Sequence, residues 1–169
     1  MSGFEAFILG LVQGLTEFLP VSSSGHLTIG KYLFGIESDD LSFEITVHAA
    51  TVLATIVVFR RDILRLISGL FRFRLNDETL YVGKILVSMI PVFVVGMFFK
   101  DYVEALFGSG LVVVGCALMV TAALLWISEH IKKSASEGTP LSWKTAVWMG
   151  VAQAVAVIPG LSRSGSTIA

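Results

Sequence analysis

The residues of this chain that could do chemistry gather in two short stretches. The first, QGLTEFLPVSSSGH (residues 13–26), contains an amide, a carboxylate, three serines and an imidazole. The second, PGLSRSGST (residues 159–167), contains an arginine flanked by hydroxyl residues. A guanidinium with hydroxyl donors binds phosphate oxygens, and a carboxylate holds a divalent cation. Together the two stretches suit a phosphate group accompanied by a metal ion.

Each of these residues also has a purely structural interpretation. Gln13 and Glu17 lie one helical turn apart on the same face, and a carboxylate inside an apolar segment usually faces a cavity or a partner. Arg163 would need an anion at membrane depth, which could be a substrate phosphate or Glu17 itself. The hydroxyl residues could equally serve as turn or cap residues, and these are Ser22, Ser23, Ser24, Ser162, Ser164 and Thr167.

The three histidines differ in their surroundings. His26 directly follows the serine cluster, so it is the candidate to relay a proton when Ser23 or a water attacks a phosphate. His48 lies in an apolar stretch and is interpreted as a helix-contact residue. His130 lies in a basic segment and is interpreted as a solvated loop residue.

The composition indicates an integral membrane protein. The mean hydropathy is +0.82, with 54% apolar and only 15% charged residues, which departs strongly from soluble averages. A net charge of −1 gives no indication of a nucleic-acid partner, and the single Cys116 excludes an internal disulfide. The first residues include no basic segment, so the first apolar stretch is expected to stay in the mature protein.

Three apolar stretches are predicted to span the bilayer, at residues 45–59, 85–99 and 106–127. Pro91 is expected to kink the second of them. Of the twelve Lys and Arg residues, nine fall on one side of these spans and two on the other. The positive-inside rule therefore places residues 60–84 and 128–144 in the cytoplasm and residues 37–44 and 100–104 outside.

Two further apolar segments, residues 4–19 and 143–158, each end at a proline followed by a Ser/Gly cluster. They are predicted to enter the membrane and break partway. A shift of 140 residues superposes Gly10, Gln13, Ser22, Ser24 and Gly25 on Gly150, Gln153, Ser162, Ser164 and Gly165. Because three spans separate the copies, they enter from opposite sides as an inverted repeat.

The predicted fold is thus one all-α integral membrane domain over residues 1–169. It is a multi-span bundle with an inverted-topology repeat and broken or re-entrant helices. Its copies start near residues 4 and 143, and their breaks meet near the midplane.

The two chemical stretches resemble the two signature motifs of the undecaprenyl-diphosphate phosphatases, the bacitracin-resistance family. The resemblance extends through FEITVHAATVLATIVVFRR (residues 43–61) and the span containing Pro91. It implies a bacterial inner-membrane hydrolase that removes one phosphate from the C55 lipid diphosphate, so that the carrier is reused in cell-wall synthesis. It also implies a divalent cation, Mg²⁺ or Ca²⁺, and a site that opens toward the periplasm.

The resemblance implies a role for each matching residue. The catalytic residues are Glu17, Ser23, His26 and Arg163; the phosphate-binding residues are Ser22, Ser162, Ser164, Thr167 and Arg163; the metal ligands are Glu17 and Gln13. Since the first metal position is a glutamine here, Glu17 is expected to carry more of the work. Family members continue past the second motif with further helices, so the chain is expected to be a fragment.

Two other functions also fit the residues. Inverted repeats and broken helices are typical of transporters, so a flippase could move the lipid phosphate without cleaving it. An intramembrane serine protease could use Ser23 and His26, although it would leave Arg163 and the second copy without a role. The expected partners are undecaprenyl diphosphate, the lipid bilayer and a second copy in a homo-oligomer, with no nucleic acid.

Overall fold

A computed structural model describes residues 1–36, 42–72, 74, 76–99, 101–102, 105, 110–130 and 141–168. Within these residues all regular structure is helical, which confirms the predicted all-α class. The helices are α1 Gly3–Thr16, α2 Ser23–Leu33, α3 Ser42–Val58, α4 Arg60–Leu70, α5 Asp77–Phe98, α6 Leu111–His130, α7 Trp143–Val155 and α8 Arg163–Ile168. The predicted outer turn at residues 100–104 lies largely outside the described residues, as do Lys132 and Lys133 of the basic segment.

Polar caps determine where several helices begin. The Ser2 hydroxyl accepts the backbone N–H of Glu5 at 3.3 Å, and the Ser142 hydroxyl accepts that of Thr145 at 3.0 Å. The Asn76 side chain accepts the Thr79 N–H at 2.7 Å. Such caps satisfy N–H groups that the first helical turn leaves without partners. Because Asn76 caps α5, this helix begins eight residues before the predicted span at residue 85.

Two described helices are long and apolar enough to cross a membrane, α5 and α6. α3 reaches that standard only together with α4, and the two meet at Phe59 with a bend of 76°. The predicted span at residues 45–59 is therefore shorter than a full crossing when taken alone. Of the third predicted span, residues 106–109 lie outside the described residues, and α6 continues to His130. α5 runs on through Pro91 as a single helix.

The predicted repeat is present in the backbone. α1 and α7 begin 140 residues apart, and so do α2 and α8. A first turn (residues 17–22) breaks the first copy, and a second turn (residues 156–162) breaks the second. Ser22 and Ser162 occupy equivalent positions, where their hydroxyls accept the N–H groups of Gly25 at 3.4 Å and Gly165 at 3.0 Å.

The two turns contact each other through glycines. A Cβ on Gly25 would lie 3.1 Å from Gly160 Cα, and a Cβ on Gly165 would lie 3.1 Å from the Pro20 carbonyl oxygen. The 140-residue shift relates Gly25 to Gly165 and Pro20 to Gly160, so the two contacts are equivalent in the repeat. The same contact is thus made twice, as at an interface with two-fold symmetry, and the breaks of the two copies meet as predicted.

α6 supports the second turn from behind. Ala117 packs against Ala156 and Leu161 in the apolar core. The buried Thr121 hydroxyl accepts the Ser162 N–H at 3.0 Å and lies 3.2 Å from the Gly160 carbonyl oxygen, to which it can donate. The shape of the turn is therefore fixed by both packing and hydrogen bonds.

Gly160→Ala should destabilise the protein by roughly 1–3 kcal/mol. Gly160 has φ +91°, and an added Cβ would lie 2.6 Å from the Val114 carbonyl oxygen. Gly115→Ala is the control, because an added Cβ there would meet no atom within 4 Å apart from the neighbouring backbone of its own helix, and alanine favours a helix by up to about 1 kcal/mol. Thermal unfolding in detergent compares the two variants. Equal unfolding midpoints would contradict the role given to Gly160.

Candidate active site

A cavity of about 890 Å³ lies between the two turns and α3. It is lined by residues of both repeat copies. The predicted site residues on its wall are Glu17, Ser22, Ser23, Ser162, Arg163, Ser164 and Thr167. The structure therefore brings together the two chemical stretches, which lie about 140 residues apart in the chain.

The Glu17 carboxylate is the centre of a hydrogen-bonded cluster in this cavity. Gln13 Nε2 donates to Glu17 Oε2 at 2.9 Å, and the Ser23 hydroxyl donates to the same oxygen. Gln13 lies one turn earlier in α1, while Ser23 begins α2 after the first turn reverses the chain. Within the described residues Glu17 Oε1 accepts no hydrogen bond, so its lone pairs stay available. A serine hydroxyl that donates to a carboxylate can pass its proton to that carboxylate, which is the chemistry that a serine nucleophile needs.

Gln13 lies behind the cavity wall. It is completely buried, and its Oε1 has no hydrogen-bond partner among the described residues. An unsatisfied buried amide oxygen costs about 1–3 kcal/mol. The predicted pairing of Gln13 with Glu17 is observed, and it leaves one buried acceptor beside the carboxylate.

His26 is not brought into the cavity wall. Its Nδ1 lies 2.8 Å from the carbonyl oxygen of Ser22, the residue that caps the start of α2. Ser22 has φ +64°, a strained backbone conformation for a residue with a side chain, costing roughly 1–3 kcal/mol. The structure thus places Ser23 against Glu17 and not against His26, and His26 contacts the backbone of the strained first turn.

Arg163 begins α8 on the opposite side of the cavity. It is exposed, and it forms no ion pair with any residue that the structure describes, so the pairing with Glu17 considered from the sequence is not observed. The Ser162 and Ser164 hydroxyls lie 3.1 Å apart beside it, and the Thr167 hydroxyl donates to the Arg163 carbonyl at 3.0 Å. A cation with neighbouring hydroxyls is suited to bind an anion in the cavity.

The sequence interpretation missed several polar residues of the cavity wall, namely Thr28, Glu44, His48 and Gln153, and it also missed Thr121 behind the second turn. His48 was taken as a helix contact, but it lines the cavity, and its Nε2 lies 3.7 Å from Glu17 Oε2. Its presence as an ionisable group in an apolar segment was the signal that could have identified it. Thr121, which holds the second turn, carries no such signal, because a threonine in a membrane helix usually bonds to its own backbone.

The sequence of the chain is similar to those of known proteins. The family model described as bacitracin resistance protein BacA matches residues 6–169. Curated proteins named undecaprenyl-diphosphatase are similar along the chain: that of Bacteroides thetaiotaomicron is 59% identical, over 100% of this chain and 64% of its own length. That of Parabacteroides distasonis is 61% identical, over 100% of this chain and 63% of its own length. That of Oceanobacillus iheyensis is 46% identical, over 96% of this chain and 61% of its own length. The chain spans just under two thirds of these relatives, and it belongs to the bacitracin resistance protein BacA family.

Proposed function

We propose that the full-length protein hydrolyses undecaprenyl diphosphate to the monophosphate and inorganic phosphate, thereby recycling the lipid carrier of cell-wall synthesis and conferring bacitracin resistance. The observation that carries the proposal is the single cavity in which Ser23 and Glu17 of one copy face Arg163 of the other. The names of the similar proteins support the substrate. A serine with a carboxylate base supports cleavage rather than transport alone.

In the proposed mechanism the second copy binds the diphosphate. Arg163 and the hydroxyls of Ser162, Ser164 and Thr167 line that side of the cavity. These groups offset the negative charge of the phosphates, an effect that is stronger in a water-poor site than in bulk water. The apolar prenyl chain stays in the lipid, which explains why such a site lies within a membrane protein.

The first copy supplies the attacking group. The Ser23 Oγ attacks the terminal phosphorus while its proton passes to Glu17 Oε2, with which it is already in contact. The bond from phosphorus to the bridging oxygen breaks, the lipid monophosphate leaves, and water then hydrolyses the phosphoserine. This contact favours Glu17 over His26 as the first proton acceptor. In the alternative, a water held by Ser23 and Glu17 attacks directly.

The residues of the first copy fit a divalent cation only in part. Within the described residues no group of three or more His, Cys, Asp or Glu side chains surrounds one point. Mg²⁺, however, is commonly held by one or two carboxylates together with substrate phosphates. The Glu17 carboxylate on the cavity wall fits that arrangement, whereas the amide of Gln13 is completely buried and does not line the cavity. A bound cation would offset charge on the diphosphate oxygens.

The proposed location is the bacterial inner membrane, with the cavity open toward the periplasm. The distribution of Lys and Arg supports the orientation of the spans, because nine of the twelve fall on the side assigned to the cytoplasm. A flippase of the same architecture remains the competing function, and release of inorganic phosphate distinguishes the two.

The first test is phosphate release from C55 lipid diphosphate by the full-length protein in detergent, with and without EDTA. We expect release that EDTA abolishes and that added Mg²⁺ or Ca²⁺ restores. No release from folded protein would exclude the phosphatase, and lipid transport in vesicles would then be measured.

Ser23→Ala distinguishes the two attacking groups. If Ser23 is the nucleophile, the variant should lose at least about 10³-fold in kcat. Glu17→Gln should be as inactive as Ser23→Ala, because the amide cannot accept the proton of the Ser23 hydroxyl. A Ser23→Ala enzyme with nearly the original rate would favour direct attack by water.

Arg163→Ala should lower kcat/KM by about 10³-fold, because one charge-stabilising donor contributes roughly that much. Arg163→Lys should be intermediate, since lysine keeps the charge and loses the two-pronged geometry. Arg65→Ala is the control, because Arg65 pairs with Glu78 at 3.3 Å and does not line this cavity. Equal rates for Arg163→Ala and the control would remove Arg163 from the mechanism.

A further inference from the structure

We infer that α4 lies in the surface of the cytoplasmic leaflet and binds anionic phospholipid headgroups through Arg61 and Arg72. This surface is separate from the cavity, and the inference does not depend on the phosphatase activity. With 11 residues, α4 is about 16 Å long at roughly 1.5 Å per residue, too short to cross a hydrocarbon core of about 30 Å. It leaves the end of α3 at a bend of 76°. A membrane-crossing α3 therefore places α4 close to the plane of the bilayer surface.

The bend between α3 and α4 is held by the chain itself. The Arg60 Nη1 donates to the Val57 carbonyl oxygen at 2.8 Å, at the end of α3, where carbonyl groups lose their helical partners. Asp62 lies in the first turn of α4, where a carboxylate interacts favourably with the helix dipole. The direction of α4 is therefore set by local interactions on both sides of Phe59.

The polar side of α4 is fixed on the protein. Arg65 pairs with Glu78 of α5 at 3.3 Å, and a Cβ on Gly69 would lie 2.6 Å from the Cβ of the same glutamate. The Asn76 side chain, which caps α5, also donates to the Gly69 carbonyl oxygen at 3.0 Å. Residues 65 and 69 therefore face α5, and the opposite side of α4 faces away from it.

The side of α4 that faces away from α5 is an exposed apolar strip. It consists of Leu64, Ile67 and Phe71, whose spacing of three and four residues places them on one helix face. Leu64 is 63% exposed and Phe71 is 73% exposed. A helix of a soluble protein turns its apolar face toward the core, whereas α4 turns its polar side toward the protein. Lipid acyl chains are the environment that suits this strip.

Two arginines on one flank of the strip select the lipid. Arg61 and Arg72 are 11 residues apart, about three helical turns, so they lie on the same side of α4. Both are exposed, and neither forms an ion pair with the part of the chain that the structure describes. The distribution of Lys and Arg assigns this segment to the cytoplasm, where anionic lipids give the leaflet a negative surface potential. Arginines beside an apolar face are typical of helices that lie on anionic membranes.

Collision rates of nitroxide spin labels test the orientation of α4. Full-length protein without other cysteines would carry one label in vesicles of phosphatidylglycerol and phosphatidylcholine. We expect labels at Leu64→Cys, Ile67→Cys and Phe71→Cys to collide mainly with O₂, which concentrates in lipid. A label at Ser68→Cys, on the exposed flank near Arg61 and Arg72, should collide mainly with water-soluble Ni²⁺-EDDA.

Two results of this experiment would overturn the inference. Frequent collisions with Ni²⁺-EDDA at all four positions would place α4 in water. Rare collisions with both reagents at the apolar positions would show that protein covers the strip, either the rest of the full-length chain or a second copy. The labelled positions are exposed and leave both arginines in place, so the result does not depend on the folding of an arginine variant.

Native mass spectrometry of the full-length protein in detergent tests the headgroup. Arg61→Gln and Arg72→Gln should each raise the apparent Kd for phosphatidylglycerol about fivefold, because one arginine near an anionic surface contributes about 1 kcal/mol. Binding of phosphatidylcholine should be unchanged. Lys144→Gln is the matched control, since Lys144 is exposed and assigned to the same side of the membrane but lies outside α4. An equal loss in the control, or no loss in either arginine variant, would contradict a headgroup site on α4.

Discussion

The close approach of two backbones, at Gly25 with Gly160 and at Gly165 with Pro20, holds the two walls of this cavity together. Each contact is possible because a glycine places no side chain between the turns. A Cβ at either glycine would require the facing turn to shift by a few tenths of an ångström, and the turns carry the carboxylate of one copy and the guanidinium of the other. The repeat thus achieves with one chain what a symmetric dimer achieves with two, namely a site built at the interface of equivalent surfaces.

The two repeat copies have equivalent backbones but contribute side chains of opposite charge to the cavity. The first copy contributes Glu17, whose carboxylate is occupied by Gln13 and Ser23, and the second contributes Arg163, which forms no ion pair among the described residues. If the two charges had paired with each other, neither would remain for a substrate. The local hydrogen bonds of Glu17 therefore help keep the positive side of the cavity available to an anion. This division of charge suits a diphosphate that arrives together with a cation.

Features set by neighbouring residues could be predicted from the sequence. The break in each copy follows from proline and Ser/Gly clusters, and the Gln13–Glu17 pair follows from helical spacing. Features that depend on packing between distant parts of the chain could not be predicted from the sequence. The position of His48 depends on the rotation of α3 about its axis, which the apolar composition of that helix leaves open. The Ser23–Glu17 contact likewise depends on the path of the first turn, where Ser22 adopts a conformation that is rare for serine.

The cluster around Glu17 also has a consequence for biogenesis. A ribosome adds about 5–20 residues per second, so Arg163 is synthesised on the order of ten seconds after Glu17. During that interval the first copy has to remain stable near the bilayer without its counterpart, and a carboxylate there is costly when it has no partners. Gln13 and Ser23 both lie within the first copy and already donate to Glu17. The nascent chain therefore carries its own hydrogen-bond donors for the carboxylate until the second copy is inserted.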